Sequence, residues 1–311
     1  MRDQLSTSGG TCLAAEPSAG CWRATFRIGE VSIGLSGDGD HEPTFGEAPE
    51  LFRFADSTCD LEITQLWEDD LQLLPITPRF DSGSVWKLYD DLDGTMVFDF
   101  ASSVIGPAPY KRLRVDRGFR KASLLLNRSY FPDPAACRPL DYPLDELIVV
   151  HRLGRERGVE VHAAGMRDAD GNAYLFLGHS GAGKSTTTRL WNQQHSMTVL
   201  SDDRIILRER DGQVWMYGTP WHGEAEFATP DRARIERLFI LEHAPENKIS
   251  RLTGSRAVGE VMARSFLPFY DAAALENTMS FLQEVVGTIP CYRLEFRPDG
   301  TAVDAVRRFR D

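Results

Sequence analysis

The sequence predicts an α/β protein, with a β-rich first part followed by a domain in which strands and helices alternate. Two observations carry this prediction. Between residues 22 and 130, short apolar runs are broken by turn residues, which is typical of strands. After residue 144, runs with helical spacing alternate with strand-like runs, which is typical of an α/β domain. We therefore expect a smaller β-rich domain over residues 1–140 and a second domain over residues 141–311.

The β-rich part is expected to form strands at its apolar runs, several of which alternate apolar and polar residues. A hairpin turn is predicted at Asp93-Gly94, because this dipeptide readily adopts the backbone conformation of a two-residue turn. Pro139 and Pro143 favour a linker between the two domains. The expected strands lie at residues 25–28, 31–35, 85–89 and 96–100.

The second domain is expected to begin with a helix over residues 145–157 that Gly158 ends. Arg210-Asp211-Gly212 predicts a hairpin turn between two strands. The other expected strands lie at residues 159–164, 174–177, 198–200, 204–209, 213–217, 235–241, 248–252 and 291–296, and the other helices run through Leu190 and over residues 255–266, 272–286 and 302–309.

The composition is that of an ordinary globular protein and excludes several classes of function. The formal net charge of −11 over 311 residues argues against a nucleic-acid-binding surface, because phosphate backbones are bound by clustered Lys and Arg. The five cysteines form no Cys-x-x-Cys pair, so neither a zinc ribbon nor a disulfide scaffold is expected. No run approaches the ~18 uninterrupted apolar residues of a membrane span. We expect a cytoplasmic protein with neither nucleic-acid nor membrane partners, and a homo-oligomer is left open.

The most specific motif is Gly-His-Ser-Gly-Ala-Gly-Lys-Ser at residues 178–185, between a strand signal and a helix signal. A glycine-rich turn with this spacing directs successive backbone N–H groups into one concavity, and the helix N-terminus adds the positive end of its dipole. Lys184 is expected to reach the β- and γ-phosphates of a nucleotide, and the Ser185 hydroxyl is expected to ligate the accompanying Mg²⁺. The residues expected to bind the nucleotide are Gly178, Ser180, Gly181, Ala182, Gly183, Lys184, Ser185 and Thr186.

Two adjacent carboxylates, Asp202 and Asp203, follow an expected strand about eighteen residues after Lys184. Mg²⁺ prefers hard oxygen ligands, so one aspartate at a strand end beside a phosphate-binding loop fits a metal site shared with Ser185. The other aspartate can accept the proton of a hydroxyl that attacks the γ-phosphate. The pair therefore predicts both a metal ligand and a catalytic base.

A histidine, His162, lies on the strand expected beside the strand that precedes the loop. Its imidazole could bond a phosphate oxygen or orient the aspartate base. The alternative is a histidine that is hydrogen-bonded for purely structural reasons.

The turn at residues 218–224 contains more special residues than an ordinary hairpin end. Glu224 is a candidate metal ligand, and Trp221 and His222 are expected to line the entrance for an acceptor. A guanidinium is expected to stabilise the transferring phosphoryl group, and Arg256 and Arg264 are the candidates.

Three separated elements together resemble the HPr kinase/phosphorylase family of the phosphoenolpyruvate carboxykinase-like P-loop group. These elements are His162-Ala163, the loop with the following Thr186, and Leu200-Ser201-Asp202-Asp203, over residues 144–224. The resemblance implies a phosphoenolpyruvate carboxykinase-like P-loop domain with a mixed sheet and ATP-dependent phosphorylation of a serine hydroxyl. It implies Asp202 as general base, with Lys184 on the phosphates and His162 supporting the phosphate or the base. It also implies that Ser185 and the aspartate pair, through Asp203 as metal ligand, hold Mg²⁺.

The chain also departs from that family. Residues 1–140 contain no motif that aligns with its N-terminal domain, and the stretch after Glu224 lacks its HPr-recognition signature. The Gly-Thr-Pro-Trp-x-Gly-Glu segment resembles instead a branch of related kinases that includes lasso-peptide tailoring enzymes. This resemblance implies a serine in a ribosomally made peptide or small protein as the acceptor, with the β-rich domain in acceptor recognition.

Two other functions stay open at this point. One is a kinase that acts on free serine or another small molecule. The other is a sensor or assembly protein that binds ATP without transferring its phosphate. Carboxykinase activity is disfavoured, because no additional lysine and histidine are spaced for a second metal and a carboxylated substrate.

Overall fold

The computed structural model describes residues 20–39, 41–102, 104, 106–131, 133, 136–194 and 197–310. These residues belong to two compact units. Unit 1 comprises the described residues up to Phe26, together with Ser32–Thr44 and Phe54–Pro139. Unit 2 comprises Arg27–Val31, Phe45–Arg53 and the chain from Leu140 onward.

Unit 1 is built on an eight-stranded mixed sheet with the order β1-β2-β3-β8-β7-β6-β5-β4. Strand β3 pairs in parallel with β2 and β8, whereas β4 to β8 pair as antiparallel neighbours. The strands are β1 Cys21–Ile28, β2 Val31–Asp38, β3 Leu61–Glu68, β4 Phe80–Asp81, β5 Trp86–Asp90, β6 Met96–Ser102, β7 Gly106–Val115 and β8 Lys121–Asn127.

The strands expected from the four apolar runs are confirmed as β1, β2, β5 and β6. The turn at Asp93-Gly94 is also confirmed, since Gly94 has a φ of 85° and its N–H donates to Asp91 O at 3.0 Å. Four further strands, β3, β4, β7 and β8, were not expected individually.

Unit 2 contains a ten-stranded sheet with the order β14-β13-β12-β9-β10-β15-β18-β16, and β11 and β17 also pair with β9. The pairs β10–β15 and β15–β18 are parallel, and the others are antiparallel, so this sheet is mixed as well. Its elements are α1 Glu47–Glu50, α2 Leu144–Arg155, β9 Gly158–Asp168, β10 Ala173–Leu177, α3 Lys184–Gln194, β11 Met197–Ser201, β12 Arg204–Arg210, β13 Gln213–Tyr217, β14 Arg232–Arg234, β15 Leu238–His243, β16 Lys248–Leu252, α4 Gly254–Met262, β17 Ser265–Phe266, α5 Ala272–Thr288, β18 Cys291–Phe296 and α6 Gly300–Arg308.

Strand β9 changes partners halfway along its length. Residues 158–162 pair with β12, and two of them also pair with β17. Residues 163–168 pair instead with β10 and β11. The ends of four strands therefore meet at the middle of β9, where His162 lies.

Two cores pack on opposite faces of this sheet, because successive residues of a strand point to opposite sides. Leu177 belongs to the core that α4 and α5 cover, whereas its neighbour Phe176 belongs to the core that contains Trp191 of α3 and Val303 of α6. Strand β10 is therefore packed on both faces, and the loop that follows it starts from a strand end that two cores hold in place.

Three expectations about element boundaries were wrong. The strand expected at residues 235–241 begins only at Leu238, as β15. Helix α2 ends at Arg155 rather than at residue 157, and Gly158 is already the first residue of β9. The helix expected to reach residue 266 ends at Met262, because Ser265 and Phe266 pair with β9 as the short strand β17. In the part of the chain that the structure describes, no helix is long and apolar enough to cross a membrane.

Candidate phosphate-binding and proton-transfer site

The loop at residues 178–185 leaves the carboxyl end of β10 and leads directly into α3, which begins at Lys184. Gly181 and Gly183 have φ values of 78° and 95°, a region that side-chain-bearing residues rarely adopt. Gly183 is also close-packed, since a Cβ atom there would lie 2.7 Å from Phe296 Cζ. A Cβ atom on Gly181 would meet nothing within 4 Å. Both the backbone conformation and the packing of the loop therefore depend on glycine.

The Lys184 side chain folds back over this loop. Only 6% of it is exposed, and its Nζ donates to Gly178 O at 3.1 Å and His179 O at 3.3 Å. Burial lowers the pKa of Lys184, and the nearby carboxylate of Asp203 opposes that shift. The ammonium group thus lies where it can contact a phosphate bound by the loop.

His162 is held at the middle of β9 by backbone hydrogen bonds to both sides. Its N–H donates to Arg264 O at 2.7 Å, and its carbonyl accepts from the Gly178 N–H at 3.1 Å. The next residue, Ala163, donates to Asp203 O at 3.0 Å. The change of strand partners along β9 is therefore what brings the loop and the aspartate pair to one histidine.

The side chains of Lys184, His162 and Asp203 converge. His162 Nε2 lies 2.9 Å from Asp203 Oδ1 and 2.7 Å from Lys184 Nζ, and Nζ lies 3.5 Å from Asp203 Oδ1. One ring nitrogen can donate to the carboxylate or accept from the ammonium, but it cannot do both. The position of one proton therefore decides which of the two contacts is a hydrogen bond.

The carboxylate of Asp203 is surrounded by positive charge. Burial by itself raises its pKa, but the hydrogen bond with His162 and the charges of Arg204 and Lys184 outweigh burial, so the pKa lies below its ordinary value. At neutral pH Asp203 is therefore ionised, and it can accept a proton.

The other oxygen of the Asp203 carboxylate, Oδ2, contacts a second set of charged side chains. Arg204 forms an ion pair with Asp203 Oδ2, and its Nε donates to Glu146 Oε1 at 3.0 Å and lies 3.4 Å from Glu160 Oε1. The guanidinium carbon also lies 4.3 Å from the centre of the Phe266 ring. Because Arg204 occupies Oδ2, the other carboxylate oxygen of Asp203 is the one directed at His162 and Lys184.

The carboxyl of Glu160 in this set is fully buried. Burial, followed by the negative charge of Glu146, raises the pKa of Glu160 well above its ordinary value. Sequence reasoning did not identify Arg204, Glu146 or Glu160 as site residues. The only signal was the position of Arg204 directly after the aspartate pair.

Asp202 faces a different set of partners from its neighbour. It is completely buried, and its Oδ2 accepts from Ser185 Oγ at 3.2 Å and from the Ala225 N–H at 2.9 Å. Its Oδ1 accepts from the N–H groups of Gly223 at 2.9 Å and Phe227 at 3.3 Å. The two aspartates are thus assigned to different sides of the site, Asp202 to Ser185 and Asp203 to His162.

The turn at residues 218–224 is anchored rather than open. Trp221 is buried, and its Nε1–H donates to Asp145 Oδ2 at 2.8 Å, so the expectation that Trp221 lines an entrance is wrong. Burial raises the pKa of Asp145 to about 6, and the hydrogen bond from Trp221 opposes the shift. His222 is exposed. Glu224 is exposed too, and its backbone carbonyl accepts from Arg189 at 3.2 Å.

The structure limits which side chains can form the expected Mg²⁺ site. Among the residues that the structure describes, no three His, Cys, Asp or Glu side chains come together as a metal site, so Glu224 does not join Asp202 and Asp203 in one cluster. Mg²⁺ that accompanies a nucleotide needs only one or two protein oxygens, since phosphates and water complete its shell. Ser185 Oγ and Asp202 Oδ2 fit that requirement.

Of the two candidate arginines, Arg264 lies near the loop. Its charge, after burial, is the main cause that lowers the pKa of His179 within the loop. Its guanidinium is held by Glu260, which accepts through Oε2 at 2.7 Å. Arg256 is exposed on α4.

No family model and no curated protein matches the chain. Among solved structures, the chain is similar to the HPr(Ser) kinase/phosphatase from Coxiella burnetii, with 12% sequence identity and a TM-score of 0.26. The similarity covers 48% of this chain and 90% of that one. A likeness this distant carries no functional conclusion.

Proposed function

We propose that this protein is a Mg²⁺- and ATP-dependent kinase that transfers a phosphoryl group to an alcohol. The observation that carries the proposal is the convergence of Lys184, His162 and Asp203 beside the loop. A phosphate-binding loop alone supports nucleotide binding. An ionised carboxylate hydrogen-bonded to an imidazole at the same place also supports removal of a proton from an acceptor hydroxyl.

The residues of the loop would bind the nucleotide. ATP would supply the γ-phosphoryl group, with Mg²⁺ offsetting its charge. The backbone N–H groups of residues 178–185 and the ammonium of Lys184 would contact the phosphates. Ser185 and Asp202 would hold the metal, because their oxygens already lie 3.2 Å apart.

Asp203 is proposed as the base, which reverses the assignment implied by the family resemblance. That resemblance gave the base to Asp202 and the metal to Asp203. Asp202 is buried and accepts three backbone N–H groups, so it has no oxygen directed at an acceptor. Asp203 Oδ1 instead contacts His162. Once Lys184 engages a phosphate, His162 Nε2–H is available to donate to Asp203 and fix the position of its carboxylate.

The proposed acceptor is a serine in a ribosomally made peptide or small protein. The support for this is the resemblance of residues 218–224 to the corresponding turn of peptide-tailoring kinases, together with the exposure of His222 in that turn. Unit 1 is proposed to recognise the peptide.

The test is transfer of label from γ-labelled ATP, with Mg²⁺, to a peptide that ends in serine, to the same peptide ending in alanine, and to free serine. We expect label in the serine peptide alone, and loss of transfer in Asp203→Asn with ADP affinity within a few-fold of the parent protein. Label in free serine alone would replace the peptide by a small-molecule acceptor. Nucleotide binding without transfer to any hydroxyl would identify a sensor or assembly protein instead of a kinase.

A further inference from the structure

The proposed base and the histidine that contacts it both lie on one side of the loop. Strand β10 has β9 along one edge and β15 along the other. His162 lies on β9, and the aspartate pair lies at the corner between β11 and β12, both of which pair with β9. In the proposed function the γ-phosphate lies beside these groups, so the γ-phosphate end of a bound nucleotide would face the β9 side and the β15 side is left for its other end.

The β15 side carries a pair of aromatic rings at the ends of two parallel strands. His243 ends β15 and Phe296 ends β18, and the two residues are direct partners in the sheet register. Their rings stack with centroids 5.0 Å apart and an angle of 29° between the planes. Phe296 is only 1% exposed, whereas His243 is exposed. The pair thus has a buried ring that supports a solvent-accessible one.

This stacked pair contacts the phosphate-binding loop through a hydrogen bond and close packing. His243 Nε2 donates to Gly181 O at 3.2 Å, since a carbonyl oxygen can only accept. A Cβ atom on Gly183 would lie 2.7 Å from Phe296 Cζ and 3.0 Å from His243 Cε1. The His243 ring is therefore fixed relative to the loop on the side away from the proposed base.

We propose that the exposed ring of His243, supported by Phe296, binds the base of the nucleotide whose phosphates occupy the loop. This inference rests on the proposed ATP-dependent function and adds to it the part of the site that recognises the nucleoside. Every nucleobase has a flat π face, and stacking on an aromatic side chain is the common way in which proteins bind such a face. The imidazole contributes to affinity for the nucleoside and not to affinity for phosphates.

The experiment compares two ligands that share phosphates and differ in the nucleoside, ADP and inorganic tripolyphosphate, both titrated calorimetrically with Mg²⁺ into the full chain. In His243→Ala we expect ADP to bind about tenfold more weakly or worse, with tripolyphosphate affinity unchanged. His243→Phe, which keeps a flat ring, should bind ADP nearly as the parent protein does. His41→Ala, at an exposed histidine of unit 1, is the control and should leave both affinities unchanged.

Several results would overturn the inference. Equal weakening of both ligands in His243→Ala would show that the ring only maintains the loop. Unchanged ADP affinity, or a Phe variant as weak as the Ala variant, would exclude stacking on this ring. If the parent protein binds tripolyphosphate but not ADP, the nucleoside site is excluded and the proposed phosphate site stands. If the parent protein binds neither ligand, the proposed function is excluded as well.

Discussion

Ser185 Oγ donates to Asp202 Oδ2 across 3.2 Å, and this bond joins the first turn of α3 to the corner between β11 and β12. The next carboxylate along the chain, Asp203, turns to the opposite set of partners, His162 and Lys184. Two neighbouring residues of the same type therefore have separate sets of partners, and variants of each should fail in different ways.

Asp203→Asn is expected to lower the rate of phosphoryl transfer by about 10²- to 10⁴-fold, because the amide cannot accept the acceptor's proton. The folding stability should fall by less than in Asp202→Asn, because the oxygen that Asn keeps can still accept from a side-chain partner and no backbone N–H group loses its acceptor. Single-turnover kinetics at saturating ATP, with ADP affinity measured in parallel, check this expectation. A variant with full activity would exclude Asp203 as the base.

Asp202→Asn is the matched variant, and its main expected effect is a loss of folding stability. Its new NH₂ group cannot accept from the surrounding N–H groups, and each buried donor left without a partner costs about 1–3 kcal/mol. Denaturant unfolding of both variants should therefore show a clearly larger loss for Asp202→Asn. The dependence of ADP affinity on Mg²⁺ should also weaken in this variant only. Equal stability of the two variants would contradict the separation of their tasks.

The sequence alone predicts the parts of the candidate site that are local in the chain. Glycine spacing at residues 178–185 and the aspartate pair at a strand end each have a meaning that does not depend on distant residues. The hairpin at residues 210–212 was predictable for the same reason, and β12 and β13 confirm it.

The parts that were missed depend on contacts between distant segments. Arg204 meets Glu146 from α2, Glu160 from β9 and Phe266 from β17, and no periodicity records that these segments meet. The tasks of Asp202 and Asp203 were also beyond the sequence, because the direction of each side chain depends on how the corner between β11 and β12 pairs with β9. The end of α4 was misplaced since pairing of residues 265–266 with β9 overrides their helical pattern.

Arg204→Gln should change the pH dependence of transfer. Arg204 is one of the charges that keep the pKa of Asp203 below its ordinary value, so its removal raises that pKa. A base with a lowered pKa stays active until the pH falls through that pKa, so the acidic limb of the kcat/KM profile should move to higher pH in the variant. Arg204→Lys keeps a positive charge and should show a smaller displacement. An acidic limb that stays in place in Arg204→Gln would show that Arg204 does not act on Asp203.

Gly183→Ala should disable the loop more severely than Gly181→Ala. Both residues have positive φ, which costs a residue with a side chain about 1–2 kcal/mol. Only Gly183 also lacks space, so overpacking against Phe296 adds roughly 1–3 kcal/mol. Thermal unfolding and tripolyphosphate titration of the two variants measure the difference. If Gly181→Ala proved the more damaging, the close packing at Gly183 would not be what shapes the loop.

Trp221→Phe should destabilise unit 2 in a pH-dependent way. The pKa of Asp145 is raised to about 6 in the folded protein from an ordinary value of 3.8, so its contribution to stability is present at low pH and is lost as the pH rises through about 6. Trp221 Nε1–H donates the side-chain hydrogen bond that opposes this shift, and its removal penalises the ionised carboxylate more than the neutral one. The free energy of unfolding of the variant, measured with urea, should therefore fall below that of the parent protein by more at pH 8 than at pH 5. Trp215→Phe is the matched control, because the Trp215 ring contacts the guanidinium of Arg232, which does not titrate in this range. A loss in Trp221→Phe that is the same at both pH values would show that Asp145 does not need this donor when it is ionised.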